Sequence, residues 1–392
     1  MAQTSPPCPV CVSAPGTHLL SRDRVPMHQN LLHNSAEEAR AAPRGALSLH
    51  CCERCGFVWN AAFDPDAMDY GGAYENSQET SARFERHLED LVASLGPLDG
   101  KTVVEVGCGN GSFLRRVLER HPTATGVGFD PAYRGPAEML AGRLRFETAF
   151  FGPDSAGVAP AADVVLSRHV IEHVQQPVEL LALVRAGLGD NVEARVFLET
   201  PCVEWIFDNV VVWDLFYEHC SLFTLTSLAE AGRRAGFAAR SGRHAFGEQY
   251  LWVELSPARD GEVVAPRTRP QTLPKALTYA AREREMLAAL RERIEHAERP
   301  VALWGAGAKG ATMANLLDPR AEIFSAVIDI NPLKQGHFLP GTGHPIVGAE
   351  DLAARGTRTA FLLNPNYREE IAEMILRSGG TTKLVDLMDP QT

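Results

Sequence analysis

Val103-Val-Glu-Val-Gly-Cys-Gly-Asn-Gly111 runs an apolar strand straight into three alternating glycines, and Ser112-Phe-Leu-Arg-Arg-Val-Leu then opens a helix. Glycines at Gly107, Gly109 and Gly111 let the backbone turn beneath a ligand with no Cβ in the way. A dinucleotide fingerprint, G-x-G-x-x-G, needs its third glycine at position 112, which is Ser112. The loop is instead G-x-G-x-G, with the acidic Glu105 two residues ahead of it.

Outward from this loop, buried-strand runs alternate with helical stretches: Thr102–Val106, Thr125–Phe129, Val164–Ser167 and Val196–Glu199. That alternation predicts an α/β fold with a parallel, Rossmann-like sheet. Upstream, Phe84, Leu88, Leu91, Val92 and Leu95 keep helical spacing until Gly96-Pro97 stops it. Downstream, Pro257, Pro266, Pro270 and Pro274 mark residues 256–274 as a linker, and a long helix is expected from Leu277 to about Ala297. A second strand-turn-helix unit opens at Pro300, with further strands at Val327–Asp329 and Thr359–Leu363. The expected division is 1–70, a small cysteine-rich unit; 71–255, the central α/β unit; and 256–392, a linker helix and a second Rossmann-like unit.

Composition narrows the function. Of 392 residues, 45% are hydrophobic and 22% charged, enough for a sizeable core. The net charge of −11 carries no basic stripe for nucleic acid and disfavours an anionic membrane surface. Apolar runs fall short of the roughly 18 residues of a membrane span. Met1–Pro9 has neither the basic start nor the apolar stretch of a secretory leader, so a cytoplasmic protein is expected.

Cytoplasmic thiols stay reduced, and five of the eight cysteines crowd into the first 55 residues. Cys8-Pro-Val-Cys11 and Cys52-Glu-Arg-Cys55 form two C-x-x-C knuckles. Each puts two thiolates on one turn, and two turns complete a tetrahedron around Zn2+; with four protein ligands such a zinc is structural. Gly56 lets the chain turn past the metal. Cys51 competes with Cys52 in register, while His28, His33 and His50 lack ligand spacing.

The glycine loop resembles the cofactor loop of class I S-adenosylmethionine-dependent methyltransferases. In that family a second acid at the end of the next strand binds ribose, and Asp130, 19 residues past Gly111, fits. Ala162-Asp-Val-Val-Leu-Ser-Arg-His-Val-Ile-Glu-His173 resembles the family's fourth-strand motif, which reaches the methionine end of the cofactor. The resemblance thus assigns Glu105, Gly107, Cys108, Gly109, Gly111, Asp130, Pro131, Arg168 and His169 to S-adenosyl-L-methionine. Phe216-Tyr-Glu-His219 follows an aromatic segment and offers a base: methyl transfer to carbon needs deprotonation, whereas oxygen or nitrogen often needs only positioning. A neutral His219, with Glu218 to steady an imidazolium, suits carbon chemistry.

The second loop, Gly305-Ala-Gly-Ala-Lys-Gly310, is G-x-G-x-x-G, and Asp329 ends the next strand. Alone it is a reasonable NAD signature. Lys309 inside it, with Gly307, and Asn331 and Lys334 in Asp329-Ile-Asn-Pro-Leu-Lys-Gln-Gly336, suit phosphates of a nucleotide-linked substrate.

Taken in order, the double C-x-x-C head, Tyr74, the Val103–Gly111 loop, Glu172-His173, Glu218-His219, the Gly305–Gly310 loop and Asp329–Gly336 resemble the three-domain C-methyltransferases of nucleotide-linked keto-sugars. The resemblance covers nearly the whole chain. It implies a zinc-binding N-terminal domain, a central cofactor domain and a C-terminal domain completing the site for a small-molecule substrate. It also implies that His219 removes the proton beside the keto group with Glu218 assisting, and that Tyr74 and His173 line the active site. One departure stands out: the sugar-methylating members read Tyr-x-Glu-His, and here the tyrosine position is Phe216, so that hydroxyl is either missing or supplied as a catalytic group by Tyr217, one residue late, from a shifted turn. Other classes consistent with the motifs are an O- or N-methyltransferase, a NAD-dependent oxidoreductase using the second loop, and a non-catalytic zinc-headed binding protein.

Overall fold

Strand Thr102–Val106 (β4 below) is the central rung of an eight-stranded sheet, and the glycine loop leaves its carboxyl end. The computed structural model describes residues 6–12, 15–68, 81–152, 162–259, 270–379 and 381–389. Tyr74 lies outside the described residues.

The chain begins with an antiparallel sheet of β1 (Thr17–Pro26), β2 (Arg44–Cys51) and β3 (Val58–Asn60). Between β1 and β2 the short helix Ala36–Arg40 starts at Ser35, whose side chain accepts the Glu38 amide. The helix Ala82–Ser94 follows, burying Phe84, Leu88, Leu91 and Val92 on the one face its spacing predicts.

The large sheet is built from β4 (Thr102–Val106), β5 (Thr125–Phe129), β6 (Glu138–Met139), β7 (Leu144–Glu147), β8 (Val164–Arg168) and β9 (Arg195–Pro201). β10 (Ser221–Leu222) leaves it to pair with β3, stitching the first sheet to the second. β11 (Phe237–Ala245) and β12 (Tyr250–Pro257) complete the order β11-β12-β9-β8-β4-β5-β7-β6. β7, β5, β4, β8 and β9 are parallel, and β12 runs antiparallel between β9 and β11. Strand order reverses between β4 and β8, where open α/β sheets bind ligands beyond the carboxyl ends.

The last sheet is wholly parallel, β15-β14-β13-β16-β17, from β13 (Val301–Trp304), β14 (Phe324–Ile328), β15 (Ile346–Val347), β16 (Thr359–Leu362) and β17 (Lys383–Asp386). It is a second doubly wound unit, reached through the helix Thr272–Glu295. That helix starts five residues before the expected Leu277, taking in Pro274. A proline in the first turn forgoes an N–H that has no intrahelical partner there, so the linker prolines do not delay it.

The three sheets share buried surface. Arg22 on β1 donates to the carbonyls of Leu215 and Val212, each at 2.8 Å, and pairs with Glu283 of the long helix. Leu47, Trp213, Tyr279 and Leu303 belong to one apolar cluster running from the first sheet to the last. Among the described residues no helix is long and apolar enough to cross a membrane.

Candidate active site

Cys8, Cys11, Cys52 and Cys55 converge with all four sulfurs within 4.8 Å of one another, buried, and none in a disulfide. The Cys8–Cys55 and Cys11–Cys52 sulfurs lie 3.6 and 3.4 Å apart. A zinc tetrahedron with Zn–S of about 2.3 Å has sulfur edges of about 3.8 Å, so the donor set fits that ion with little movement. Hydrogen bonds from Cys55 and Cys8 hold the Cys52 thiol far below its ordinary range. Cys51 does not compete: its sulfur sits in the core behind β2, 3.9 Å from the Cys52 carbonyl.

At the first glycine loop, Gly107, Gly109 and Gly111 all have positive φ, +72°, +57° and +78°. A Cβ at Gly107 would meet Val170 at 2.2 Å and one at Gly111 would meet Phe146 at 2.3 Å, whereas at Gly109 nothing lies within 4 Å. The outer two glycines serve packing, and the middle one borders open space. Asp130, at the end of β5, accepts the Gly109 amide through Oδ2 and the Ala132 amide through Oδ1, both at 2.8 Å. Its carboxylate therefore shapes the loop as well as facing the cleft; Pro131 beside it is exposed. Glu105 is buried, with Oε2 lacking a partner among the described residues. Burial pushes its carboxyl up to about 8, opposed by Arg168. Cys108 is buried against Gly128 and Phe146. An open cradle rimmed by backbone amides and acids fits the adenosine of S-adenosylmethionine. Gly111→Ala is expected to cost about 2–4 kcal/mol of stability. Gly109→Ala is expected to cost only about 1–2 kcal/mol, the left-handed backbone penalty, while weakening S-adenosylhomocysteine binding. Melting curves and calorimetric titration of the two variants check this, and a reversed order of effects would undo the assignment.

At the end of β8 the residues expected at the methionine end carry a buried ionic network. Arg168 Nε donates to Glu199 Oε2 at 2.7 Å, and its guanidinium lies 4.3 Å over Phe113. His169, at φ +52°, sits 3.1 Å from Glu172 Oε1 and 3.4 Å from Glu199 Oε2. Burial works against its charge, but those two carboxylates prevail and raise it to about 9. His87, on the helix Ala82–Ser94, reaches the other oxygen of Glu199 at 2.5 Å.

Beside this network lie His173 and His219, ring centroids 4.8 Å apart and nearly perpendicular. Phe216 packs 4.1 Å from the His219 ring. Burial first, then His173, His169 and Lys309, holds His219 well below the usual histidine range, and its Nδ1 has no partner among the described residues. His219 is thus a neutral imidazole near the carboxyl ends of β8 and β9.

Two expectations for this segment need correction. No hydrogen bond joins Glu218 to His219; Glu218 Oε2 accepts the Gln29 amide at 2.8 Å. Consecutive residues project in different directions, and this carboxylate turns to the first sheet. Nor does the Tyr217 phenol stand in for the missing tyrosine: it is buried against Phe63 and Gly45, and its hydroxyl accepts the Asp64 amide at 2.9 Å. The carboxylate that does lie beside the histidines is Glu172, with an oxygen within 4.8 Å of nitrogens on both rings. The sequence places Glu172 only within the Glu172-His173 motif and Glu199 only at a strand end, and gives neither carboxylate a role. The available signal was an acid inside the apolar run Val196-Phe-Leu-Glu-Thr200, and the quoted Ile171-Glu-His173.

The second glycine loop repeats the acid cap of the first, although of its glycines only Gly305 has a positive φ. Asp329 accepts the Ala306 amide at 2.7 Å and the Asn331 amide at 2.9 Å, and Asn331 in turn caps Leu333. Gly307 begins the helix Ala308–Leu317 with no side-chain cap. The buried Lys334 ammonium lies 3.2 Å from Asn30 Oδ1, and 3.9 Å from where a Gly307 Cβ would stand. Lys309 faces the large sheet: it pairs with Asp214 at 2.7 Å and donates to Gln249 at 3.1 Å. Gln249 and Asn364 exchange two amide hydrogen bonds of 2.8 and 3.1 Å across the same boundary.

Residues 79–241 match a methyltransferase domain, and residues 268–383 match a C-methyltransferase C-terminal domain. C-methyltransferase NovU of Streptomyces niveus is 27% identical over 403 residues, covering 95% of this chain and 93% of that protein. Demethylspheroidene O-methyltransferase of Rhodobacter capsulatus is 30% identical over 190 residues, 47% of this chain and 46% of its own length. The solved riboflavin-type dimethyltransferase RosA of Streptomyces davawensis is 23% identical over 44% of this chain and 54% of its own, with a TM-score of 0.35. The chain is an S-adenosylmethionine-dependent methyltransferase. The match to a C-methyltransferase C-terminal domain and the similarity to NovU along 95% of the chain support a C-methyltransferase.

Proposed function

We propose that the enzyme methylates the carbon next to a keto group of a nucleotide-linked sugar, with His219 as the base. The observation that carries this is the half-buried, neutral His219, whose buried Nδ1 has no partner among the described residues, near the carboxyl edge of the large sheet. A carbon acceptor must lose a proton before it can take a methyl group, and a neutral imidazole is suited to accept it. S-adenosylmethionine, when bound along Gly107–Gly111 and Asp130, supplies an activated sulfonium methyl. His219 removes the proton from the substrate carbon; the freed electron pair is delocalised onto the keto oxygen. Phe216 and His173 both pack against the ring.

The nucleotide part of the substrate is assigned to the second loop. The uncapped helix at Gly307 presents backbone amides and a positive dipole end, and Lys334 adds a charge beside them. Asn331 fixes the turn that carries Lys334. Lys309, already paired with Asp214, serves as a contact with the central domain at the same cleft. Zinc at Cys8, Cys11, Cys52 and Cys55 is assigned a structural role.

The test supplies nucleotide-linked keto-sugars with methyl-labelled S-adenosylmethionine and reads the product by carbon NMR. A new carbon–carbon bond is expected, together with enzyme-dependent exchange of the α-hydrogen in D2O. Label on oxygen or nitrogen overturns the assignment, as does calorimetric binding of NAD in place of S-adenosylhomocysteine.

A further inference from the structure

The sequence paired the base with its neighbour Glu218, but the folded chain brings a different carboxylate to it. We infer that Glu172 is the positioning residue for His219, supplying the negative charge opposite the ring as the ring takes up a proton. The inference rests on His219 being the base.

Glu172 is fully buried and fixed from two sides: Thr200 Oγ1 donates to Oε2 at 3.0 Å, and His169 Nδ1 lies 3.1 Å from Oε1. One of its oxygens is within 4.8 Å of nitrogens on both His173 and His219. An opposite charge at about 4–6 Å in a buried site favours the protonated ring by about 1–3 pH units.

The other charged groups around the ring have nearer partners. At the end of β8, Arg168 pairs with Glu199 of β9 at 2.7 Å, and His169 bridges Glu172 at 3.1 Å and Glu199 at 3.4 Å. Glu172 thus keeps its second oxygen on Thr200 and shares its charge between His169 and the two histidine rings beside it. His87, from the helix Ala82–Ser94, also meets Glu199. Lys309, from the helix Ala308–Leu317, is paired with Asp214 at 2.7 Å. Glu218 turns to the Gln29 amide, Cys220 packs behind the Glu172 carbonyl at 3.7 Å, and the Tyr250 ring covers His169 at 4.7 Å. Glu172 is therefore the carboxylate placed to answer a positive charge arising on His219. In the step itself the substrate C–H bond breaks, its electrons stay on the substrate, and the proton goes to His219. Glu172 neither gains nor loses a proton.

The full-length enzyme is compared with Glu172→Gln, Glu172→Asp, Thr200→Val and Glu218→Gln. The acid limb of the kcat profile is expected to move about 1–2 pH units lower in Glu172→Gln, with kcat down about 10–100-fold and S-adenosylhomocysteine affinity within about 3-fold of wild type. Glu172→Asp should recover part of the loss. Thr200→Val, which loosens the carboxylate without removing it, should shift the limb the same way by less, and serves if Glu172→Gln does not fold. Glu218→Gln should leave the limb in place. The His219 ring is also titrated by NMR in the S-adenosylhomocysteine complex, without acceptor, so a wrong sugar substrate leaves this measurement intact. A ring that titrates alike in wild type, Glu172→Gln and Thr200→Val, or one shifted by Glu218→Gln alone, overturns the inference.

Discussion

His219→Ala is expected to bind S-adenosylhomocysteine like the wild type and to lose about 10²–10⁴-fold in methyl transfer. The separation follows from position. The cofactor cradle proposed above, Gly107–Gly111 and Asp130, lies just past the ends of β4 and β5, while His219 follows the segment beyond β9 and meets His173 and Phe216. Removing the imidazole takes away the proposed proton acceptor and leaves the cradle alone. Asp130→Ala should do the reverse, because it releases the Gly109 amide and opens the loop. Calorimetric titration and initial rates on both variants give the answer. Equal loss of binding in the two would collapse the division between cradle and base, and near-normal turnover by His219→Ala would point to an oxygen or nitrogen acceptor that needs no such base.

The second large effect is on stability. A structural zinc, as proposed for the four-cysteine cluster, would bind with about 10–16 kcal/mol of apparent free energy, comparable to the roughly 5–15 kcal/mol that separates a folded domain from its unfolded chain. Cys52→Ser is therefore expected to lose the metal and unfold the first sheet. Damage should not stop there: β3 pairs with β10, two residues past His219, and Gln29 holds Glu218. Activity should fall with zinc content and melting temperature together. Cys51→Ser is the matched control, since that thiol lies outside the tetrad; its expected cost is about 1 kcal/mol. Metal analysis and thermal melts distinguish the two. A Cys52→Ser protein that keeps its zinc and its melting temperature would overturn the ligand assignment.

The parts legible in the sequence are those encoded over short spans. The strand ending at Val106, the glycines after it and the acid closing Thr125–Phe129 all lie within one β-loop-α-β stretch, where spacing alone fixes geometry. Each cysteine knuckle is equally local. The orientation of Glu218 is not: neighbours share a sequence position but not a direction, and the amide that captures it belongs to Gln29, far earlier in the chain. Glu172 and Glu199 were hidden for a related reason. Their significance comes from β8 and β9 lying side by side, which places Arg168 opposite Glu199. The pairing of β10 with β3 is likewise a tertiary choice with no local marker.

The contacts of Lys309 with Asp214 and of Gln249 with Asn364 set a rule for building hybrids with relatives of different specificity. A graft cut between residues 259 and 270 inherits one half of each contact from each parent. Where the donor lacks a matching acid or amide, a buried group is left unmet, at roughly 1–3 kcal/mol each. Crossovers should therefore move positions 214 and 249 with the C-terminal segment, so that exchange of specificity is not confounded by a mismatched joint.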